Sequence, residues 1–502
     1  MAGLRTELSG TQLKLWPAAT REEIVQPTVP VDVALRGGTV HFIGIGGIGM
    51  SGIARLLQVE GCKVSGCDAA PSEITEGLKQ DRIRVDIGHS PLHLAGHVDL
   101  VIVSAAIRET NPELREARRR GIPVVKYAQS LGWLMNERNG IAVSGSHGKT
   151  TTTSMIAYAL SYAGLDPAML IGGMVPQLGG NARTSRKGPF VVEACEYDRS
   201  FLSLSPEVAV MTNIDRDHLD YYTDLNDLVE AFGCFAARVA RDGLLVVNGD
   251  DPNAVRAASQ SRARVETFGE GDSCNWRIGK WHRAQGRTTF EAIHNGRSLG
   301  QFEILVPGLY NIRNVLCCMA VCRFYGVAMD HLREAIATFT GARRRFDRLG
   351  EAEGVLILDD YGHHPTEIRV TLDAAKQEFP QSPLWCVFQP HQCSRTRILL
   401  DEFGHAFRSA DRVLVPDIYS VRDTRADRLS IHARDLVREI RNNGVEAEYH
   451  PQFPEVVDRL LEGVSQGDVV MTMGAGPVNH VGQSLLVELR KRERTHATVW
   501  RS

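Results

Sequence analysis

A chain of 502 residues, 43% hydrophobic and 23% charged, has length for roughly three globular units of about 150 residues each. Its formal charge of −3 gives no electrostatic reason to expect nucleic acid as a partner, and no run approaches the roughly 18–20 apolar residues of a membrane span. Ten cysteines without a CxxC pair, and an N-terminus without an apolar stretch, read as reduced thiols of a cytoplasmic protein rather than a disulfide framework, a zinc site or a secreted chain.

Residues 1–36, with Pro17, Pro27 and Pro30, read as an irregular N-terminal extension. From Val40, short β-branched runs alternate with helical segments. VHFIGI, KVSGCD, VDLVIVS and PVVKY read as strands and ELREARRRG as a helix, which predicts a parallel sheet with crossover helices over 37–137. A second unit, 138–347, opens at Ile141 and carries the strands FVVEA, VAVMTNI and LLVVN. Between 275 and 306 the pattern becomes antiparallel, with Asn295-Gly296 as a hairpin turn. The third unit, 348–502, is α/β again, with strands VLILDDY, LWCVFQP, RVLVPDIY and DVVMTMG and helices such as HARDLVREIRNN. The fold class is therefore α/β, two doubly wound units flanking a central one with an antiparallel addition.

HFIGIGGIGMSGIA places Gly44, Gly46, Gly47 and Gly49 between a strand and a helix. Backbone amides and a helix N-terminus in that context receive a diphosphate, and Asp68, at the end of the next strand, stands where a carboxylate meets a ribose hydroxyl. Taken alone, this cluster fits NAD, a UDP-sugar or mere tight packing.

GSHGKTTTT is shorter than the usual nucleotide-triphosphate loop, with only Ser146 and His147 between Gly145 and Gly148. It keeps what phosphate binding requires. Gly148 permits close backbone approach, Lys149 brings a cation, Thr150 offers a hydroxyl to Mg²⁺, and the helix TTTTSMIAYALSYAG follows with its N-terminus aimed at the anion. FVVEACEYD ends a strand at Glu193, and TNIDRDHLD ends the next with Asp215, Asp217, His218 and Asp220. Strand ends of an open α/β sheet converge on the ligand crevice, so Glu193 and His218 are expected to approach one metal near the γ-phosphate.

With these segments in this order, the chain resembles the Mur ligases, the ATP-dependent amide ligases of peptidoglycan synthesis, over about residues 40–480. The short GxxGKT loop is that family's own form, so Gly145, Ser146, His147, Gly148, Lys149, Thr150 and Thr151 form the implied ATP loop. DDYGHHPTEI at 359–368 and PHQCSRTR at 390–397 are similar to the branch that joins L-alanine to UDP-N-acetylmuramate. NGDDPN, PGLYNIRNVL, GARRRF and MGAG follow the family's order. The resemblance makes the first unit a UDP-sugar site, with Gly44, Gly46, Gly47, Gly49 and Asp68. It implies Thr150 as a ligand of one Mg²⁺ and Glu193 with His218 as ligands of a second, Asn311 and Asn314 beside adenine, Asp360 beside ribose, and Arg345 near the γ-phosphate. His363 and Arg395 are implied to face the reacting carboxylate and the amino acid, and His363 is a candidate base because neutral imidazole is available near pH 7.

The sequence departs from the family at Cys195 (usually Asp), Tyr197 (Ser), Tyr310 (His) and Gln392-Cys393 (Arg-Tyr). Tyr197 matches the EYD pattern of the murein-tripeptide recycling ligases, the alternative within the family. Outside it, the alternatives are a nucleotide-dependent switch without ligation and a nicotinamide-dependent dehydrogenase. What the resemblance implies is ligation of L-alanine to the lactyl carboxylate of UDP-N-acetylmuramate through an acyl phosphate, using ATP and Mg²⁺, with closure of the three units assembling the site.

Overall fold

Each β-branched run becomes a strand, and the strands assemble into three sheets. The structure, a computed structural model, describes residues 37–499 except Glu137, Arg186 and Arg422, with side chains to residue 494. The extension read over 1–36 lies outside the described residues.

The first sheet has five parallel strands in the spatial order Arg84–Ile87, Lys63–Asp68, Thr39–Ile43, Leu100–Val103, Val124–Lys126. The chain winds outward from Thr39–Ile43 in one direction and then in the other, which makes the C-terminal end of that strand a switch point where ligands bind. The glycine cluster lies there, ahead of the helix Ile48–Val59.

The second sheet has ten strands. Gly140–Ser144 lies between Phe190–Glu193 and Val208–Met211, parallel to both, so the second switch point falls at the phosphate loop. The antiparallel addition (Trp276–Ala284, Arg287–His294, Arg297–Ile304) is not a separate layer. It continues this sheet, because Phe268 and Gly269 of Arg264–Gly269 pair in parallel with Trp276 and Arg277. Asn295 and Gly296 form the predicted hairpin turn with φ of 49° and 76°, the positive pair that matches the twist of the strands. On the opposite edge an unpredicted hairpin, Ala168–Val175 with Gly180–Arg183, completes the sheet.

The third sheet has six strands, five of them parallel and the edge strand Asp347–Ala352 antiparallel to Val355–Asp360. Val355–Asp360 is buried at every position, as expected of an apolar run covered on both faces.

The two seams between units differ in kind. One continuous buried cluster runs from Val40 and Phe42 of the first sheet to Leu170, Phe190 and Phe232 of the second unit. Asn181 Nδ2 adds a bond to the Ile48 carbonyl at 3.0 Å. The third unit instead meets the second chiefly through polar contacts: Thr366 Oγ1 donates to Asp215 Oδ2 at 2.7 Å, and Arg395 Nη2 to Asp217 Oδ1 at 2.7 Å.

The helix Tyr127–Asn136 of the first unit lies so close to the second that a Cβ added at Gly132 would stand 2.2 Å from the Ser203 carbonyl oxygen. Gly132→Ala is therefore expected to cost about 1–3 kcal/mol in denaturant unfolding. Gly96→Ala, with no atom within 4 Å of its added Cβ, should cost less than about 0.5 kcal/mol.

Candidate active site

The short phosphate loop is held by a neighbouring segment rather than by its own length. Ser146 N donates to the Asn213 carbonyl at 2.9 Å, His147 N to Asn213 Oδ1 at 2.8 Å, and Ser146 Oγ to the Asp215 carbonyl at 3.2 Å. Gly145 cannot carry a side chain, since a Cβ would lie 1.9 Å from Thr212 Oγ1. Gly148, at φ 81°, caps the helix Lys149–Tyr162. Four successive threonines are poor helix formers, but here they are buried, and Thr153 Oγ1 returns a bond to the Lys149 carbonyl at 2.8 Å.

Beside the loop lies a cleft of about 410 Å³, the size of a small-ligand site, lined among others by Thr151, Tyr310, Asn311, Asn314, Arg345 and Asp360. The implied adenine and ribose residues thus share one wall. Asn311 Nδ2 donates to the Pro307 carbonyl at 2.6 Å, and Asn314 Nδ2 to Asn311 Oδ1 at 3.1 Å. Asp360 accepts from the Phe346 and Gly362 amides at 2.8 and 2.7 Å, and burial raises its carboxyl to about 6.

The cations of the cleft are each matched by a carboxylate. Lys149 Nζ stands 2.9 Å from Glu196 Oε1, whose side chain is fully buried. Arg345 Nη2 donates to Thr150 Oγ1 at 3.3 Å, and its Nη1 lies 3.9 Å from Glu367 Oε1. Arg395, buried with Asp217, is held by it across the seam. The predicted metal residues fall into two pairs. Thr150 Oγ1 donates to Glu193 Oε2 at 2.9 Å, while His218 Nε2 faces Glu196 Oε1 at 3.3 Å. Glu193 and His218 are therefore linked through Glu196 and Lys149 rather than placed in contact. Glu196 was missed in the sequence, although it sits in the same EACE run three residues beyond Glu193. Glu196 Oε2 and His218 Nδ1 are buried without a hydrogen-bond partner. Hard oxygen donors with an imidazole and an unpartnered carboxylate oxygen suit Mg²⁺.

His363 and His364 have different surroundings. His363 Nδ1 lies 3.2 Å from the Tyr361 carbonyl, and burial holds the ring down to about 4, so it is neutral at pH 7. His364 caps the helix Pro365–Glu378 and reaches the Arg216 carbonyl at 3.1 Å, a structural post across the seam. Gln392, which stands where the family usually has Arg, is only 2% exposed and adopts φ 70°. In the first unit, Gly44 and Ile45 donate to the Cys67 carbonyl at 2.9 Å each, and Gly47 caps the helix containing Gly49. Asp68 Oδ2 accepts from the Gly46 amide at 2.8 Å, so it braces the glycine loop directly.

Three family models match the chain in succession: the Mur ligase family catalytic domain over residues 39–139, the Mur ligase middle domain over 143–322 and the Mur ligase glutamate ligase domain over 344–476. The chain belongs to the Mur ligase family. Among curated Mur ligases, the UDP-N-acetylmuramate–L-alanine ligase of Caldanaerobacter subterraneus is 39% identical over 454 residues, covering 90% of this chain and 98% of that one. That of Solibacter usitatus is 43% identical, covering 90% and 95%. The crystal structure of the UDP-N-acetylmuramate–alanine ligase of Thermotoga maritima superposes with a TM-score of 0.78 at 27% identity, covering 90% and 99%. The three-unit architecture is that of the Mur ligases.

His147 sits at the junction of the loop and the third unit, 3.1 Å from Asp215 Oδ2 and 3.4 Å from Glu367 Oε1. Burial opposes its charge, but these two carboxylates outweigh burial and raise it from 6.5 to about 9. A histidine raised on folding stabilises fully below 6.5, and that contribution is lost as pH rises through about 9. The unfolding midpoint is expected to fall across that window, and His147→Gln to flatten the fall. Parallel curves for the two proteins would remove His147 from the seam's charge balance.

Proposed function

We propose that this Mur ligase joins L-alanine to the lactyl carboxylate of UDP-N-acetylmuramate at the expense of ATP, the first amino-acid addition in peptidoglycan precursor synthesis. The carrying observation is the match to L-alanine ligases along 90% of the chain, together with a phosphate loop whose His147 faces Glu367 and an Arg395 held by Asp217 across the same seam. The recycling-ligase alternative rests on Tyr197 alone and is not favoured. In this reading, residues 37–137 bind the UDP-sugar through Gly44, Gly46, Gly47 and Gly49. Residues 138–347 bind ATP and residues 348–502 the amino acid. Its substrates place the protein in the cytoplasm, and no helix among the described residues is long and apolar enough to cross a membrane.

A carboxylate forms an amide only when one of its oxygens becomes a leaving group. The lactyl carboxylate attacks the γ-phosphate, its oxygen bonding to phosphorus as the bond to the β-phosphate oxygen breaks, giving an acyl phosphate and ADP. The alanine amine then attacks the acyl carbon, and phosphate departs. The first step brings two anions together, and Lys149 and Arg345 supply fixed positive charge where they meet. Mg²⁺ would be held at two positions, by Thr150 with Glu193 and by His218 with Glu196, and would there neutralise phosphate oxygens. His363 is neutral at pH 7, but burial makes it a weak base, so it can take the proton only after the nitrogen has attacked the acyl carbon and become strongly acidic. Arg395 attracts the carboxylate of the amino acid, sharing its guanidinium with Asp217. Closure of the third unit on the second would keep water from the acyl phosphate.

Phosphate release from ATP should require both UDP-N-acetylmuramate and L-alanine for sustained turnover. Preferential turnover with L-alanyl-γ-D-glutamyl-diaminopimelate would transfer the assignment to the recycling branch. Lys149→Ala should lower turnover on the order of 100-fold or more. Arg395→Ala should raise the KM for L-alanine far more than those for ATP and UDP-N-acetylmuramate. A normal L-alanine KM with weakened UDP-N-acetylmuramate binding would remove the amino-acid role.

A further inference from the structure

In the first unit, away from the cleft, five polar groups converge on one fully buried carboxylate. Glu113 Oε2 lies 2.9 Å from His41 Nε2 and 3.0 Å from Cys67 Sγ. Its Oε1 lies 3.1 Å from His93 Nδ1, 3.3 Å from His89 Nδ1 and 3.1 Å from the Ser90 amide. The His89 nitrogen also stands 3.3 Å from the Cys67 sulfur. These residues come from one strand, the end of the next, the loop after the third and the helix Pro112–Arg119 after the fourth, so the sheet topology itself gathers them.

Protons alone serve this cluster poorly. A carboxylate offers about four lone-pair sites, fewer than the five groups aimed at Glu113. His89 Nδ1 either contends with the thiol for the same oxygens or turns a lone pair toward them. A cation removes the conflict, because nitrogen, sulfur and oxygen lone pairs then all point at one positive centre. We infer that His41, Cys67 and Glu113, with His89 at the edge beside the sulfur, form a binding site for a zinc-class divalent ion, distinct from the Mg²⁺ site of the ligation reaction.

The donor set and its spacing fit. Zn–N and Zn–O bonds of about 2.0–2.1 Å with a Zn–S bond of about 2.3 Å put tetrahedral ligand atoms roughly 3.3–3.6 Å apart. The observed 2.9 and 3.0 Å from Glu113 to His41 and Cys67 need open by only a few tenths of an ångström, and the ligand atoms of these three residues lie within 4.8 Å of one another. One thiolate and one carboxylate with the neutral His41 imidazole balance the charge of a divalent ion, as a buried site requires. The surrounding residues orient the ligands: Ser65 Oγ lies 3.0 Å from His41 Nδ1 and fixes that ring, while the Ser90 amide and His93 hold the second oxygen of Glu113. His89, 22% exposed against 1% for His41 and 0% for Glu113, marks the way in. This revises the sequence reading at one cysteine. Burial and Glu113 push the Cys67 thiol up, so without an ion it is an inert thiol, whereas a bound ion would make it a thiolate. The Cys67 carbonyl carries the Gly44 and Ile45 amides, which ties occupancy of the site to the geometry of the glycine loop.

The test uses the full chain, stripped with a chelator and held in millimolar Mg²⁺, titrated with Zn²⁺ against a chromophoric competitor and, separately, with Co²⁺. We expect one tightly held zinc per chain, and a thiolate-to-cobalt charge-transfer band that Cys67→Ser abolishes and Cys234→Ser retains. His89→Ala, removing the partly exposed imidazole that orients the sulfur and the carboxylate, should weaken zinc at least about tenfold and decides the matter if Cys67→Ser fails to fold. Zinc lost entirely to the competitor would overturn the site. So would unchanged zinc affinity in His89→Ala, or a cobalt band that survives in folded Cys67→Ser.

Discussion

A buried positive charge must be compensated, and the cleft of this protein is organised around that requirement. Lys149 is matched by Glu196, Arg345 by Glu367 and Arg395 by Asp217. Desolvation makes an unpaired cation in such a place costly, while a paired one can be kept ready for phosphate or carboxylate. The same carboxylates decide other features. Glu196 draws in His218, Glu367 and Asp215 raise His147, and Glu367 completes the cap that begins the helix Pro365–Glu378. The binding groups and the seam between the second and third units are therefore one electrostatic system, and an incoming anion must compete with or bridge its internal counter-charges.

The contrast between the seams follows from what each must do. Apolar continuity from Val40 to Phe232 makes the first two units one body, so the glycine loop and the phosphate loop keep a fixed separation. The third unit is joined mainly by hydrogen bonds and ion pairs, which exchange readily for water and permit relative motion. A reaction that must admit an amino acid and then exclude water needs one stiff seam and one that opens.

Much of this was legible in the sequence. Val, Ile and Leu runs give buried parallel strands whatever their neighbours, and Gly145 and Gly148 are visible because close backbone approach leaves no alternative. The hairpin starting at Ala168 was not legible, since Gly172 and Gly173 interrupt its apolar run. Gly172 is small because an added Cβ would lie 2.4 Å from the Glu193 carboxylate, a tertiary fact that local pattern does not carry. The strand Asp347–Ala352 is polar and pairs on one side only. In the site, single residues at strand ends were found, but their partners were not. Glu196 lies past its strand in a tight turn, and Asp217 meets Arg395 from 178 positions away.

The polar character of the second seam bears on how such a chain diversifies. A packed apolar interface resists piecemeal change, because each altered side chain leaves a void or a clash in its neighbours. An interface of paired charges can be re-cut one pair at a time, provided each exchange keeps its partner. The unit beginning near residue 348 is thus a head that can be altered pair by pair, free to acquire a different acceptor pocket while the other two units keep their shared core.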